Sequence, residues 1–278
     1  MPTIVRDVAG LRALVASWRA EGHLVALVPT MGALHAGHVS LVRIAQARGA
    51  RVVTSIFVNP TQFAPTEDFS KYPKTFESDL EKLAEVGCDA VYAPTVDVMY
   101  PAGAATTVKV AGAALAGLED VSRPFHFDGV ATIVAKLFTQ ARPDLAVFGE
   151  KDFQQLAVVR RMAADLDLGV EVIGAPTLRD PDGLAMSSRN VYLSAVERAL
   201  APRLHQIMQE AAAAIRAGRP AEAALADARA AIAAAGFGLD HLELRDAASL
   251  GAAEPGKPMR MLVAAKLGAT RLIDNIAV

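Results

Sequence analysis

Short apolar runs recur along the chain, each followed by a stretch of helical periodicity, and this alternation constrains the fold more than any single motif. Residues 25–29, 51–58, 90–93, 145–148 and 170–173 are apolar and largely β-branched, as buried strands are. Residues 8–21, the stretch from about Leu34 to Arg48, and residues 77–86, 130–139 and 153–166 place apolar side chains three and four apart, as helices do. Strand–helix alternation predicts a parallel sheet covered by helices on both faces, a Rossmann-like α/β sheet. Residues 106–110 alternate in polarity and read as an edge strand.

The pattern changes after about Arg179. Asp180-Pro181-Asp182-Gly183 is a turn signal. Residues 194–217 and 220–235 are alanine-rich helices separated by Gly218-Arg219, and residues 239–244, 259–265 and about 271–276 read as strands. The expectation is a Rossmann-like domain over 1–178 and a smaller C-terminal α+β domain over 179–278. A chain of 278 residues is long enough for such a core.

Formal net charge is −2, which gives no electrostatic footprint for nucleic acid or an anionic membrane. A single cysteine excludes a disulfide framework and fits a reducing cytosol. No apolar run approaches the roughly 18 residues of a membrane span, and the N-terminus lacks a basic-then-apolar leader. A soluble, cytoplasmic protein is expected.

The polar clusters fall where strands end. In Val25-Ala-Leu-Val-Pro-Thr-Met-Gly-Ala-Leu-His-Ala-Gly-His-Val39 a strand breaks into a helix that opens with His35 and His38. Three residues apart, the two imidazoles share one face of the first turn, beside unsatisfied N–H groups and the positive end of the helix dipole. Gly32 and Gly37 let a ligand approach the backbone. A pair of surface or helix-capping histidines is the plain alternative; zinc would need further ligands, and Cys88 and the other histidines offer no such spacing.

Lys151, in Gly149-Glu150-Lys151-Asp152 after the run 145–148, is a point charge suited to phosphate oxygens, or a solvated loop residue. Met186-Ser187-Ser188-Arg189-Asn190 offers two hydroxyls and a guanidinium, or a turn and cap. Together these clusters supply donors for a triphosphate, with no obvious acid–base dyad or covalent nucleophile. There is no G-x-x-x-x-G-K-[ST], no G-x-G-x-x-G after the first strand, and no G-x-S-x-G around Ser187-Ser188.

These residues resemble a known family. Pro-Thr-Met-Gly-Ala-Leu-His-Ala-Gly-His is a form of the H-x-G-H signature of the nucleotidyltransferase superfamily. With Phe-Val-Asn-Pro-Thr-Gln-Phe, Phe-Gly-Glu-Lys-Asp-Phe-Gln-Gln-Leu and Met-Ser-Ser-Arg-Asn in that order, it resembles the pantoate–β-alanine ligases across nearly the whole chain. The resemblance implies ATP-dependent joining of (R)-pantoate to β-alanine through a pantoyl adenylate, with Mg2+ accompanying ATP and a homodimer as the assembly. It implies that Met31, Gly32, Ala33, Leu34, His35, Ala36, Gly37 and His38 line the ATP site. Gly149, Glu150, Lys151, Asp152, Leu178, Met186, Ser187, Ser188 and Arg189 would close on the nucleotide. His38, His35, Lys151 and Arg189 would carry the catalysis. Gln62 and Gln155 would hold pantoate, with Gln62 also near β-alanine and Asn59 assisting; Asp79 is the weaker candidate for the metal. Phe125 and Asp128 depart from the family pattern, where glycine and arginine are usual. The rival readings are another adenylyltransferase of the superfamily and a non-catalytic ATP sensor.

Overall fold

The computed structural model of the chain describes residues 1–63, 72–73 and 75–278. In its first part, strands and helices alternate as β1 (Thr3–Val5), α1 (Val8–Ala20), β2 (Leu24–Thr30), α2 (Ala36–Ala47), β3 (Ala50–Ile56), α3 (Phe76–Glu85), β4 (Ala90–Tyr92), α4 (Val96–Met99), α5 (Glu119–Ser122), α6 (His126–Ala141), β5 (Leu145–Gly149), α7 (Phe153–Asp165) and β6 (Glu171–Ala175). The six strands form one sheet in the order β1-β4-β3-β2-β5-β6, every pair parallel. The mixed α/β fold is as expected.

Both faces of this sheet are covered, which explains the unbroken apolar runs. Val25 and Leu27 of β2 pack with Leu11, Val15 and Trp18 of α1 and with Phe138 of α6. Their neighbours Ala26 and Val28 point to the opposite face, against Leu41 and Val42 of α2 and Leu80 and Leu83 of α3. Chain order reverses between β2 and β5: from β2 the chain steps outward to β3 and β4, then returns to place β5 on the other side. In open parallel sheets a ligand crevice forms at the carboxyl ends of the strands at such a reversal.

The remainder comprises α8 (Ala195–Leu200), α9 (Pro202–Arg216), α10 (Ala221–Ala234), β7 (Gly238–Asp246), β8 (Met259–Leu267) and β9 (Thr270–Ala277). The last three form an antiparallel sheet, β7-β8-β9. Its apolar face, with Met261, Val263 and Ala265, packs on Leu204, Ile207 and Met208 of α9 and Leu225 and Ile232 of α10.

Two readings of the sequence are corrected, and one strand is added. Residues 106–110 form no strand: Val108 N–H donates to Thr132 Oγ1 (2.9 Å) and Val110 N–H to Asp128 Oδ1 (3.0 Å). Side chains of α6 thus take the donors that a sheet ladder would use. Residues 194–217 form two helices, because Pro202 has no N–H and begins a new helix at its first position. The short β1, unpredicted, gains its regularity from pairing with β4.

Candidate active site

Three strand ends and one long connection meet at the β2/β5 crevice. Thr30 and Met31 leave β2; Asn59–Gln62 follow β3; Gly149–Asp152 follow β5 and form a single 3-10 turn into α7. Pro176, Thr177 and Leu178 leave β6 and lead to Met186–Arg189. These segments enclose a cavity of about 220 Å³, to which Met31, His35, Gly37 and His38 contribute from the β2 side. A larger cavity of about 670 Å³ adjoins it toward the antiparallel sheet, and the two share Lys151, Asp152, Gln155, Ser187 and Arg189.

The paired histidines are both a helix cap and a cavity wall. His35 is the N-cap of α2: Gly37 N–H donates to His35 Nδ1 (3.1 Å), and His35 N–H donates back to His38 Nδ1 (3.3 Å). This is a capping box built from imidazoles, so the capping alternative is true and coexists with the site. Each ring accepts at Nδ1 and therefore carries its proton on Nε2 when neutral. Burial pushes the His38 pKa down to about 3, helped by neighbouring His35 and then Lys151; burial and then Lys151 push His35 down to about 4. The ring centroids are 4.1 Å apart, so two neutral Nε2–H donors sit side by side. Gly37 is required here, because a β-carbon would come within 2.8 Å of the His35 ring.

The β2–α2 loop uses its own anion. Gly32 and Ala33 have positive φ (84° and 50°) and turn the Ala33 and Leu34 N–H groups onto the Asp79 carboxylate (2.9 and 2.8 Å). Thr75 Oγ also donates to Asp79 (3.2 Å), and Asp79 is fully buried. Both of its oxygens are thus engaged by the fold, which gives the expected metal candidate a bracing role. Gly32, Ala33, Leu34 and Ala36 stand off the cavity wall, so only half of the 31–38 stretch faces the crevice.

Lys151 and Arg189 both line the shared wall. Lys151 Nζ lies 3.9 Å from Asp152, and the Arg189 guanidinium sits 6.0 Å from the Tyr72 ring centroid. Glu150, offered alongside them, instead pairs with Arg260 of β8 (3.0 Å). Ser188 Oγ donates to the Ala33 carbonyl (2.9 Å), tying this segment to the β2 loop across 155 positions of chain. Ser187 Oγ accepts from Arg189 N–H (3.2 Å), which leaves its own proton available. Of the two hydroxyls, Ser187 has the freer donor.

Neutral amides line the same cavity. Gln62 is buried; its Oε1 accepts from Asn59 Nδ2 (3.1 Å) and its Nε2 reaches Met31 Sδ (3.1 Å). Gln155 also lines the cavity, and its side-chain amide has no hydrogen-bond partner among the described residues. Asn59 is 1% exposed: Tyr100 OH donates to its Oδ1 (2.7 Å), and its Nδ2 donates to Gln62 and to the Gly129 carbonyl (3.2 Å). It holds Gln62 in place.

Arg123 and His126, not singled out from the sequence, grip the Gln62 carbonyl at 3.2 and 2.9 Å. Their spacing across the start of α6 was the available signal; nothing local marked Tyr100. Of the two departures from the family pattern, Phe125 is 79% exposed and Asp128 accepts from Val110 N–H, so neither reaches the amides.

A family model for pantoate-beta-alanine ligase matches residues 3–277. A pantothenate synthetase from Rhodopseudomonas palustris (strain HaA2) is 59% identical, with 100% of this chain and 99% of that protein covered. The pantothenate synthetase 2 of Bradyrhizobium diazoefficiens is 60% identical at the same coverage. Among solved structures, a pantothenate synthetase from Thermus thermophilus superposes with a TM-score of 0.93 at 44% identity, covering 99% of this chain and 98% of that one. The Francisella tularensis pantoate-beta-alanine ligase, complexed with beta-gamma ATP and beta-alanine, superposes with a TM-score of 0.84 at 30% identity, covering 99% and 97%.

Proposed function

The chain belongs to the pantoate–β-alanine ligase family, and on that premise we propose that it activates pantoate as an acyl adenylate in the β2/β5 crevice. One observation carries the reading. His35 and His38, with their Nε2–H groups, the Lys151 ammonium, the Ser187 hydroxyl and the Arg189 guanidinium line one cavity together with the neutral amides Gln62 and Gln155. Cations suit a triphosphate; amides suit a carboxylate that must remain nucleophilic.

In the first step a pantoate carboxylate oxygen attacks the α-phosphorus of ATP, the bond to the bridging oxygen breaks, and pyrophosphate leaves. Charge builds on the leaving group, and preorganised donors stabilise it there more than in the ground state. His38 serves as a neutral hydrogen-bond donor through Nε2–H in this account, since its low pKa keeps the ring from being imidazolium at neutral pH. Gln62 and Gln155 orient the carboxylate without neutralising it, as a paired arginine would. In the second step the β-alanine amine attacks the acyl carbon, the carbon–oxygen bond breaks, AMP departs, and the amine proton is lost. No protein nucleophile is needed, because positioning and charge stabilisation do the catalysis.

Magnesium does not fit a protein cage here. No group of three or more His, Cys, Asp or Glu side chains among the described residues converges on one point, and Asp79 is fully engaged. The ion belongs with the ATP phosphates, as part of the substrate. The reading includes a boundary near residue 178, with 179–278 closing over the adenylate, and a homodimer in solution. No helix among the described residues is long and apolar enough to cross a membrane.

The test is AMP release by the purified chain. AMP should appear with ATP, pantoate and β-alanine together and fall to background when either organic substrate is omitted. Release independent of β-alanine, or absent with all three, contradicts the proposal.

A further inference from the structure

Lys151 sits on a turn that its own sequence does not secure. Gly149 heads the 3-10 turn Glu150–Asp152 without a side-chain cap, and Asp152 leads into α7 also without one. The carbonyls of this turn are held from the antiparallel sheet instead. Asn275 of β9, 3% exposed, donates from Nδ2 to the Glu150 carbonyl (2.9 Å) and to the Lys151 carbonyl (2.8 Å). Its Oδ1 accepts from Arg260 Nε (2.6 Å), so the amide has one workable orientation: reversed, it would face oxygen to oxygen and amine to guanidinium. Arg260 in turn bonds Glu150 Oε2 (3.0 Å) and lies 4.2 Å from the Phe153 ring centroid. The backbone of Asn275 is fixed as well, its N–H donating to Asp274 Oδ1 (2.7 Å) while Arg179 grips both Asp274 oxygens (2.6 and 2.8 Å).

From this geometry we infer that Asn275 is a positioning residue for the ligation, acting through the carbonyls of residues 150 and 151 to set where the Lys151 ammonium points. The inference rests on the role given above to Lys151. Asn275 touches no reacting atom in this account. Its effect is to make the placement of a phosphate-facing cation depend on the antiparallel sheet, so that a shift of β9 becomes a shift of Lys151. A site built on side chains held by such supporting hydrogen bonds loses rate when the support goes, even with every reacting group present.

Asn275→Asp tests this, because it keeps the size and the Arg260 contact while replacing both donors with an acceptor. Pantoate-dependent exchange of labelled pyrophosphate into ATP should fall about tenfold or more in kcat, with the KM for pantoate within about twofold. The Lys151→Ala/Asn275→Asp double variant should be no slower than Lys151→Ala alone, since the support is useless without the supported group. Multiplying losses, or exchange by Asn275→Asp within about twofold of the parent, overturn the inference. Amide hydrogen exchange gives a readout independent of turnover: protection of residues 150–153 should drop in the variant, and unchanged protection counts against the inference. A parent chain with no pantoate-dependent exchange would refute the function proposed above, while the protection data still judge the clamp itself. Where Asn275→Asp fails to fold, Asn275→Ser carries the same comparisons.

Discussion

At the two histidines, the side chains that close the cap of α2 are the same ones that line the cavity. Because each Nδ1 accepts a backbone N–H, protonation would break the cap as well as desolvate a charge. The consequence for stability has a definite sign. Both rings titrate lower in the folded chain than the ordinary histidine value of 6.5, so the unfolded chain binds their protons first. Their contribution is fully present above about pH 6.5 and is lost as pH falls toward about 4 and 3. The denaturation midpoint of the parent should therefore drop more steeply below pH 6.5 than that of His38→Gln; parallel curves would contradict this. In catalysis, kcat/KM for ATP should show no histidine inflection between about pH 5 and 8, since that ratio reports the free enzyme. Removing one buried donor from a developing charge costs about 2–4 kcal/mol. His38→Ala and Lys151→Ala should each slow pantoate-dependent pyrophosphate exchange by about a hundredfold or more. Near-normal exchange in either would remove that residue from the account.

Among the elements, α6 does most to shape the amide wall. Gly129 lets it lie directly against the turn Pro60–Gln62: a β-carbon there would stand 2.4 Å from the Thr61 carbonyl oxygen and 2.9 Å from Gln62 Cα. Neither backbone atom can yield without moving Gln62. Gly129→Ala should destabilise the chain by about 1–3 kcal/mol through overpacking. It should also raise the KM for pantoate about tenfold, the equivalent of about 1.4 kcal/mol, with a smaller effect on the KM for ATP. Steady-state kinetics on the variant decide this, and equal shifts in both constants would argue for a diffuse collapse. Strand–helix alternation made most of these elements legible in the sequence, because a strand buried on both faces writes a continuous apolar run. What stayed hidden depended on partners distant in the chain. Residues 106–110 alternate like a strand, yet side chains of α6 take two of their amide donors. The break before Pro202 was readable from the proline itself, but the alanine-rich pattern on both sides concealed it.

For the molecule as a whole, the clusters at strand ends could be picked out as candidate phosphate donors from residue type alone, and His35, His38, Lys151, Ser187 and Arg189 do line one cavity. Their supports could not be seen. Asp79 filling the turn after β2, Arg123 and His126 gripping Gln62, and Asn275 reaching the Lys151 turn from 124 positions away are all long-range hydrogen bonds with no local signature. Spacing likewise gave no sign that the Ala33 and Leu34 amides of the glycine-bearing loop donate to the carboxylate of Asp79. The central claim is that pantoate is activated at the α-phosphorus, and oxygen bookkeeping tests it most directly. With the pantoate carboxylate labelled with heavy oxygen, one label should pass to the phosphate of AMP for each ligation, because the carbon–oxygen bond breaks in the second step. Unlabelled AMP, or label found in inorganic phosphate with ADP as the nucleotide product, would contradict the account.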